Sequence, residues 1–212
     1  QLLESAITKF PRLETVMVEA TYGGKDNTLP EREECEKEIV DKIQTTIKRG
    51  GKVLIPVLGV GRAQEVMIVL EQAVKSGAID KVPVYIDGMV WEVRAIHTAY
   101  PEFLNTNVRK LIFHKDQNPF LNKIFKRVGS QKERMQLIEE TGPCVIVATS
   151  GMLVGGPSVE YLKALGDNPK NAMALTCYQG EGSLGRRIQR GEREISFSNG
   201  SKQEILQIKC RV

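Results

Sequence analysis

The residues able to do chemistry are few and scattered. Only two histidines occur, His97 and His114, and neither belongs to an HxH or HxxxH spacing or to a carboxylate pair. A zinc hydrolase needs several such ligands converging on its metal, so this chain is expected to hold no metal site of its own. The cysteines Cys35, Cys144, Cys177 and Cys210 lie far apart with no CxxC, which argues against a zinc knuckle. Cys144 and Cys177 fall inside apolar runs and read as buried thiols. No GxSxG elbow is present, so a serine hydrolase site has no support either. What remains is anion chemistry. Ser150-Gly151 and Gly155-Gly156 precede Pro157, and Gly180, Gly182 and Gly185 lead into Arg186 and Arg187. Glycines let main-chain N–H groups approach an anion, and a helix N-terminus adds partial positive charge. These loops can cradle phosphate, or their glycines can serve only tight strand-to-helix turns. Neither matches Walker A or GxGxxG, so mononucleotide binding is weakly supported.

Two basic runs accompany them: Arg186, Arg187, Arg190 and Arg193, and Lys123, Lys126, Arg127, Lys132 and Arg134. Such runs are usually solvated faces, and as a pair they can track a nucleic-acid backbone. Arg62, beside Gln64 and Glu65, is either a surface ion pair or a buried organiser of its turn. Glu19 closes an apolar run before Thr21-Tyr22-Gly23. It can cap that turn or point into a cleft, and the pattern alone favours the cap.

The elements that must position these residues alternate. Thr15 to Val18 reads as a short strand. Thr28 and Glu31 form a capping box, with Pro30 in the first turn. The helix they open runs to about Arg49, with Cys35, Ile39, Ile43 and Ile47 inward. Lys52 to Leu58 is a buried strand, Ala63 to Lys75 a helix, Val82 to Ile86 a strand, and about Met89 to Tyr100 a helix. Arg109 to Phe113 reads as a strand, and Asn118-Pro119 opens a short helix holding Phe120, Ile124 and Phe125. Ser130 and Glu133 form a second capping box. Cys144 to Thr149 is the clearest buried strand, Pro157 opens a helix that Gly166 stops, and Asn171 to Cys177 is a further strand. Ser196 to Val212 reads as a hairpin turning at Asn199-Gly200. The implied fold is α/β: a Rossmann-like three-layer domain with a mainly parallel sheet, helices on both faces and a C-terminal hairpin at an edge. The 212 residues carry a net charge of +4 and 41% hydrophobic residues, an ordinary globular balance. No apolar run reaches membrane-spanning length. A reducing cytoplasm and no membrane partner are expected. The Gln1 start and the strand-like stop at Val212 read as a segment of something longer.

In order along the chain stand Glu19-Ala20-Thr21-Tyr22-Gly23, Gly50-Gly51-Lys52-Val53-Leu54-Ile55-Pro56 and Gly61-Arg62-Ala63-Gln64-Glu65. Ser150-Gly151-Met152 and Tyr178-Gln179-Gly180-Glu181-Gly182-Ser183 follow. This series closely resembles the β-CASP family of metallo-β-lactamase-type nucleases. The nearest group is the archaeal homologues of the cleavage and polyadenylation specificity factor nuclease subunit. The resemblance implies an RNA-binding lid, inserted in a metallo-β-lactamase domain that holds two zinc ions, in a ribonuclease of RNA 3′-end processing or decay. It implies that Glu19 supports the metal centre. It also implies that Ser150, Gly151, Gly156, Tyr178, Gln179, Gly182, Ser183 and Arg186 face single-stranded RNA, and that Arg62, Gln64 and Glu65 form the family's structural turn. The implied partition is 1–29 as connector and strand of the flanking domain, 30–204 as the β-CASP domain, and 205–212 as the start of a return strand. KH domains upstream and a homodimer of the parent are family habits that no residue here encodes. The departures are the absent HxHxDH motif, expected upstream, and the family's F-S-x-H. Ser196-Phe197-Ser198-Asn199-Gly200 mimics the latter without a histidine, and the true motif is expected beyond Val212. Without zinc ligands the chain alone is expected to be inactive. A stand-alone nucleotide- or sugar-phosphate-binding domain and a non-catalytic interaction scaffold are the competing readings.

Overall fold

The longest apolar runs form two neighbouring inner strands buried along their whole length, and five strands in all assemble in parallel. The computed structural model describes residues 2–25, 28–199 and 202–212. In chain order the elements are α1 (Arg32–Lys48), β1 (Lys52–Pro56), α2 (Arg62–Lys75), β2 (Val84–Asp87), α3 (Val90–Ala99), α4 (Thr106–Lys115) and β3 (Phe125–Val128). They continue with α5 (Gln131–Glu139), β4 (Cys144–Ala148), α6 (Pro157–Leu165), β5 (Ala172–Met173), α7 (Leu184–Gln189), β6 (Glu194–Asn199) and β7 (Lys202–Gln207). The sheet order is β3-β2-β4-β1-β5, with every pairing parallel.

Strand alternation divides the core in two. Val53, Ile55, Val145 and Val147 face Ile43 and Ile47 of α1 and Met67 and Leu70 of α2. Leu54 and Ile146 face Tyr161 and Leu162 of α6 and Ile188 of α7. The antiparallel pair β6–β7 is a sheet of its own, laid on the second layer through Ile195 and Leu206. Past the hairpin, Arg211 bridges in parallel to Ala172 of β5. The Asn199-Gly200 turn read from the sequence runs into Gly200, which lies outside the described residues.

Several local expectations are corrected. Thr15 to Val18 forms no strand: Val16, Met17 and Val18 are exposed. A strand needs a neighbour for its ladder bonds, and no strand pairs with this stretch. Arg109 to Phe113 is helical, because Asn105 accepts a hydrogen bond from Val108 N at 3.0 Å and starts α4. His114 therefore lies in the last turn of α4 rather than after a strand. Ile124 and Phe125 are not in a helix. The turn after Asn118 lasts only Pro119–Leu121, then Asn122 accepts from Ile124 N and redirects the chain into β3. The Thr28–Glu31 box does not form, for Glu31 is the N-cap of α1 with no side-chain cap bond. Cys35 is exposed, leaving Ile43 and Ile47 to bury that helix. Among the described residues no helix is long and apolar enough to cross a membrane.

Candidate functional site: a cleft at the carboxyl edge of the sheet

The connections after β1 and β4, neighbours in the sheet, run in opposite directions and over opposite faces. Such a divergence opens a crevice beyond the strand ends, the usual ligand position in open α/β sheets. An open cleft of about 770 Å³ lies there. The segment after β1 lines it with Leu58, Val60, Gly61 and Arg62, the loop after β4 with Met152, and the loop after β5 with Cys177 and Tyr178. The N-terminal stretch closes it with Leu2 to Ala6, Glu19, Thr21 and Tyr22.

Each wall is fixed by a local device. Gln64, fully buried, accepts from Gly61 N at 2.7 Å and donates to Gly59 O at 3.0 Å. Its amide thus closes the turn before α2, where Gly61 takes φ 80° as N-cap. Arg62 is half-exposed and pairs with Glu65 at 2.8 Å, so Gln64 and not Arg62 is the buried organiser. The other Glu65 oxygen accepts from Leu2 N at 3.3 Å, tying the N-terminal stretch to α2. Gln179 repeats the device: its amide nitrogen donates to Gly151 O and Cys177 O, both at 3.0 Å. A methyl group on Gly151 would sit 2.7 Å from Cys177 Sγ and 2.9 Å from Leu58 N. That glycine admits close packing of three loops.

The residues singled out in the sequence, for the metal centre, the structural turn and RNA alike, are thus divided. Glu19, Arg62, Glu65 and Tyr178 share the cleft. Glu19 accepts from Thr21 N at 2.6 Å, and hydrogen bonds from the Thr21 side chain and main chain together hold its carboxyl below the ordinary value. It caps its turn while lining the cleft. Ser150 donates to Gly155 O and accepts from Val154 N, both at 3.0 Å, so its hydroxyl closes its own loop. Gly156, at φ 75°, carries the turn into α6. Ser183 caps α7, donating to Gly180 O and accepting from Arg186 N, with Gly182 at φ 77° beside it. Arg186 bonds Gln189 at 2.9 Å and lies 3.6 Å from Glu181. Arg187 pairs with Glu192, and Arg190 with Glu181. Two carboxylates thus serve three of the four guanidiniums, while Arg193 donates to the main-chain oxygens of Ile188 and Glu192; the run is only partly neutralised, and exposed pairs of this kind are weak and can open to another anion. In the second run Arg134 is buried on Asp87, and Arg127 pairs with Glu92.

Sequence reasoning missed the apolar floor of Leu58, Val60 and Met152, and it missed the pairing of Tyr22 with Tyr178. Those rings meet edge to face with centroids 6.0 Å apart. Both tyrosines stood in quoted motifs, and the repeated aromatic-then-glycine pattern was the available signal. Cys177 also lines the cleft, but burial pushes its thiol up, so it is no thiolate nucleophile at neutral pH. Among the described residues no three His, Cys, Asp or Glu side chains converge as metal ligands.

Comparison with known proteins agrees with the motif series. The family described as the Beta-Casp domain matches residues 63–188, more than half of the chain. The transcription termination factor FttA of Methanocaldococcus jannaschii is 56% identical over 207 residues, covering 97% of this chain and 32% of the relative. That of Thermococcus kodakarensis is 52% identical over 213 residues, covering 100% and 33%. That of Lokiarchaeum is 56% identical over 197 residues, covering 93% and 31%. The chain spans about a third of the length of these curated relatives. With the family match running from Ala63 to Ile188 and these relatives at 52–56% identity over nearly all of its length, the chain belongs to the β-CASP family.

Proposed function

We propose that this chain is the RNA-facing domain of a zinc-dependent ribonuclease that acts at RNA 3′ ends, in processing, decay or transcription termination. The observation that carries the reading is the convergence of Glu19, Arg62 and Tyr178 from three distant segments on one cleft at the carboxyl edge of the sheet. The termination-factor names of the relatives supply the biological setting. The donors described here do not fit a zinc site, so no step through zinc is derived for them. In this reading the metals and the remaining ligands belong to a metallo-β-lactamase domain of the longer protein. The exposed apolar side chains of Phe10, Leu13, Val16, Met17 and Val18 suit packing against such a domain. Exposed large apolar side chains so close together in the chain suit an interaction face. The internally bonded Ser150 and Ser183 loops weigh against a mononucleotide cradle.

The test is fluorescence anisotropy of the 212-residue chain with labelled single-stranded RNA across a salt series, with cleavage followed after zinc is added. Weak binding that falls with salt and no cleavage are expected. Zinc-dependent cleavage by this chain would overturn its dependence on a partner domain. Absence of binding even at low salt would overturn the RNA reading.

A further inference from the structure

Helix α7 carries a cationic ridge that the molecule itself covers. Arg186 and, four residues on at the C-cap, Arg190 stand one turn apart on the same side of the helix, and one carboxylate serves both. Glu181 accepts from Arg190 Nη1 at 3.0 Å and from its Nη2 at 2.5 Å, and the oxygen bound to Nη2 lies 3.6 Å from Arg186 Nε. That nitrogen is enclosed and has no hydrogen-bond partner among the described residues. Arg186 Nη1 donates to Gln189, a neutral acceptor, at 2.9 Å. A single negative charge thus faces two guanidiniums, whereas Arg187 pairs with a carboxylate of its own, Glu192.

Nothing buries the Glu181 carboxylate. Its side chain and that of Arg190 are 64% and 60% exposed, and it stands outside any helix or strand, between Gly180 and a Gly182 at φ 77°. Exposed pairs of this kind hold weakly and are screened by salt. The ridge also adjoins the cleft. Tyr178, three residues before Glu181, lines the cleft together with Met152. Gly185 N, in the first turn of α7, donates to Met152 O at 3.1 Å, which sets that turn against the cleft wall. A polyanion running from the cleft past Tyr178 onto α7 meets guanidiniums already occupied by a carboxylate.

We propose that Glu181 is a built-in competitor, whose carboxylate holds the two guanidiniums that take a phosphate of the RNA strand outside the cleft and is displaced when the strand binds. This rests on the RNA reading above and adds a backbone subsite on α7 and the group that restrains it. Phosphate oxygens can accept from both guanidiniums at once, the geometry that fork-shaped donors favour. A lone phosphate gains little there, since one anion only replaces another. A strand also held at the cleft brings its next phosphates to the ridge at high effective concentration and displaces the carboxylate.

The experiment is fluorescence anisotropy with labelled single-stranded RNA at several salt concentrations. It compares the wild-type chain, Glu181→Gln, the double variant Glu181→Gln/Arg190→Gln, and Glu36→Gln. Glu36 is the control: it is paired with Arg32 on α1, and α1 and α7 lie against opposite faces of the sheet. Thermal melting checks that the variants remain folded, as substitution of these surface side chains should allow. Glu181→Gln is expected to bind RNA about three- to tenfold more tightly at low salt. Its slope of log affinity against log salt is expected to steepen by about 0.7, one phosphate contact. The double variant is expected to return to roughly the wild-type affinity. Glu36→Gln, with the same change in net charge, is expected to stay within about twofold of the wild type. Affinity unchanged by Glu181→Gln overturns this inference and leaves the RNA reading standing. Equal tightening by Glu36→Gln also overturns it, because net charge would then be the cause, as does a double variant that keeps the full gain. Absence of RNA binding by all four proteins at low salt overturns the RNA reading and this inference together.

Discussion

Gln64 and Gln179 shape the cleft more than any charged residue does. Both are buried amides that bond main-chain groups, Gln64 within its own turn and Gln179 both within its own loop and across to Gly151 after β4, and such bonds are costly to lose once buried. The glycines around them follow from that need. A Cβ on Gly185 would lie 1.7 Å from Gln179 Oε1 and 2.7 Å from its Cδ. Gly185→Ala is therefore expected to destabilise the fold by about 1–3 kcal/mol through overpacking, read as a lowered urea midpoint. A wild-type midpoint would mean that Gln179 moves freely and does not brace the loop. In the sequence this glycine could equally have served a phosphate or a packing contact. Residue type alone could not decide, because the deciding neighbour, Gln179, is fixed by tertiary packing. The tyrosine pair was hidden for the same reason: Tyr22 and Tyr178 stand far apart in the chain and meet only once folded.

Three elements are locked together beside the second, smaller hollow of the carboxyl edge, which is about 290 Å³. Asp87 at the end of β2 takes both Nε and Nη2 of Arg134 from α5, at 2.8 and 3.1 Å, and the hydroxyl of Tyr161 from α6 at 2.9 Å. Arg134 also reaches Glu160 at 2.8 Å. These bonds hold the guanidinium pKa above its ordinary value. Asp87 and Tyr161 are almost wholly enclosed, so removing the cation strands a buried carboxylate. Arg134→Met should cost about 3–5 kcal/mol in chemical denaturation, far more than Lys132→Met on the exposed side of the same helix. Equal, small losses would show the pair to be solvated. From sequence, Arg134 passed for one member of a basic face, since its carboxylate lies on a distant strand. The elements were otherwise legible where apolar runs were long and capped, as at β1, β4, α2 and α6. They were misread at 109–113 and 120–125, where short stretches rich in apolar and basic residues suit strand and helix equally. There only the side-chain bonds of Asn105, Asn118 and Asn122 decide.

Across the whole molecule, order is unevenly distributed. Residues 3 to 25 form no helix or strand and are exposed, whereas Leu2 is buried against the first core layer. Limited trypsin digestion should therefore cut first at Lys9, Arg12 or Lys25, leaving the body that begins at α1 resistant. Backbone without buried contacts opens at little free-energy cost. Early cuts within β1 or β4 instead would show that the sheet is the weaker part. The strand order carries a different consequence, for the sequence in time of folding. Lys52 of β1 pairs with Cys144 of β4, and Val53 with Ala172 of β5. The first strand made is thus flanked by the last two of its sheet. During synthesis β1 has no neighbour until the chain has grown past β4, and the sheet is incomplete until β5 follows. Pairings so distant along the chain are slow to form. The nascent chain must therefore carry a fully buried strand unpaired while the whole of residues 57–143 is being made.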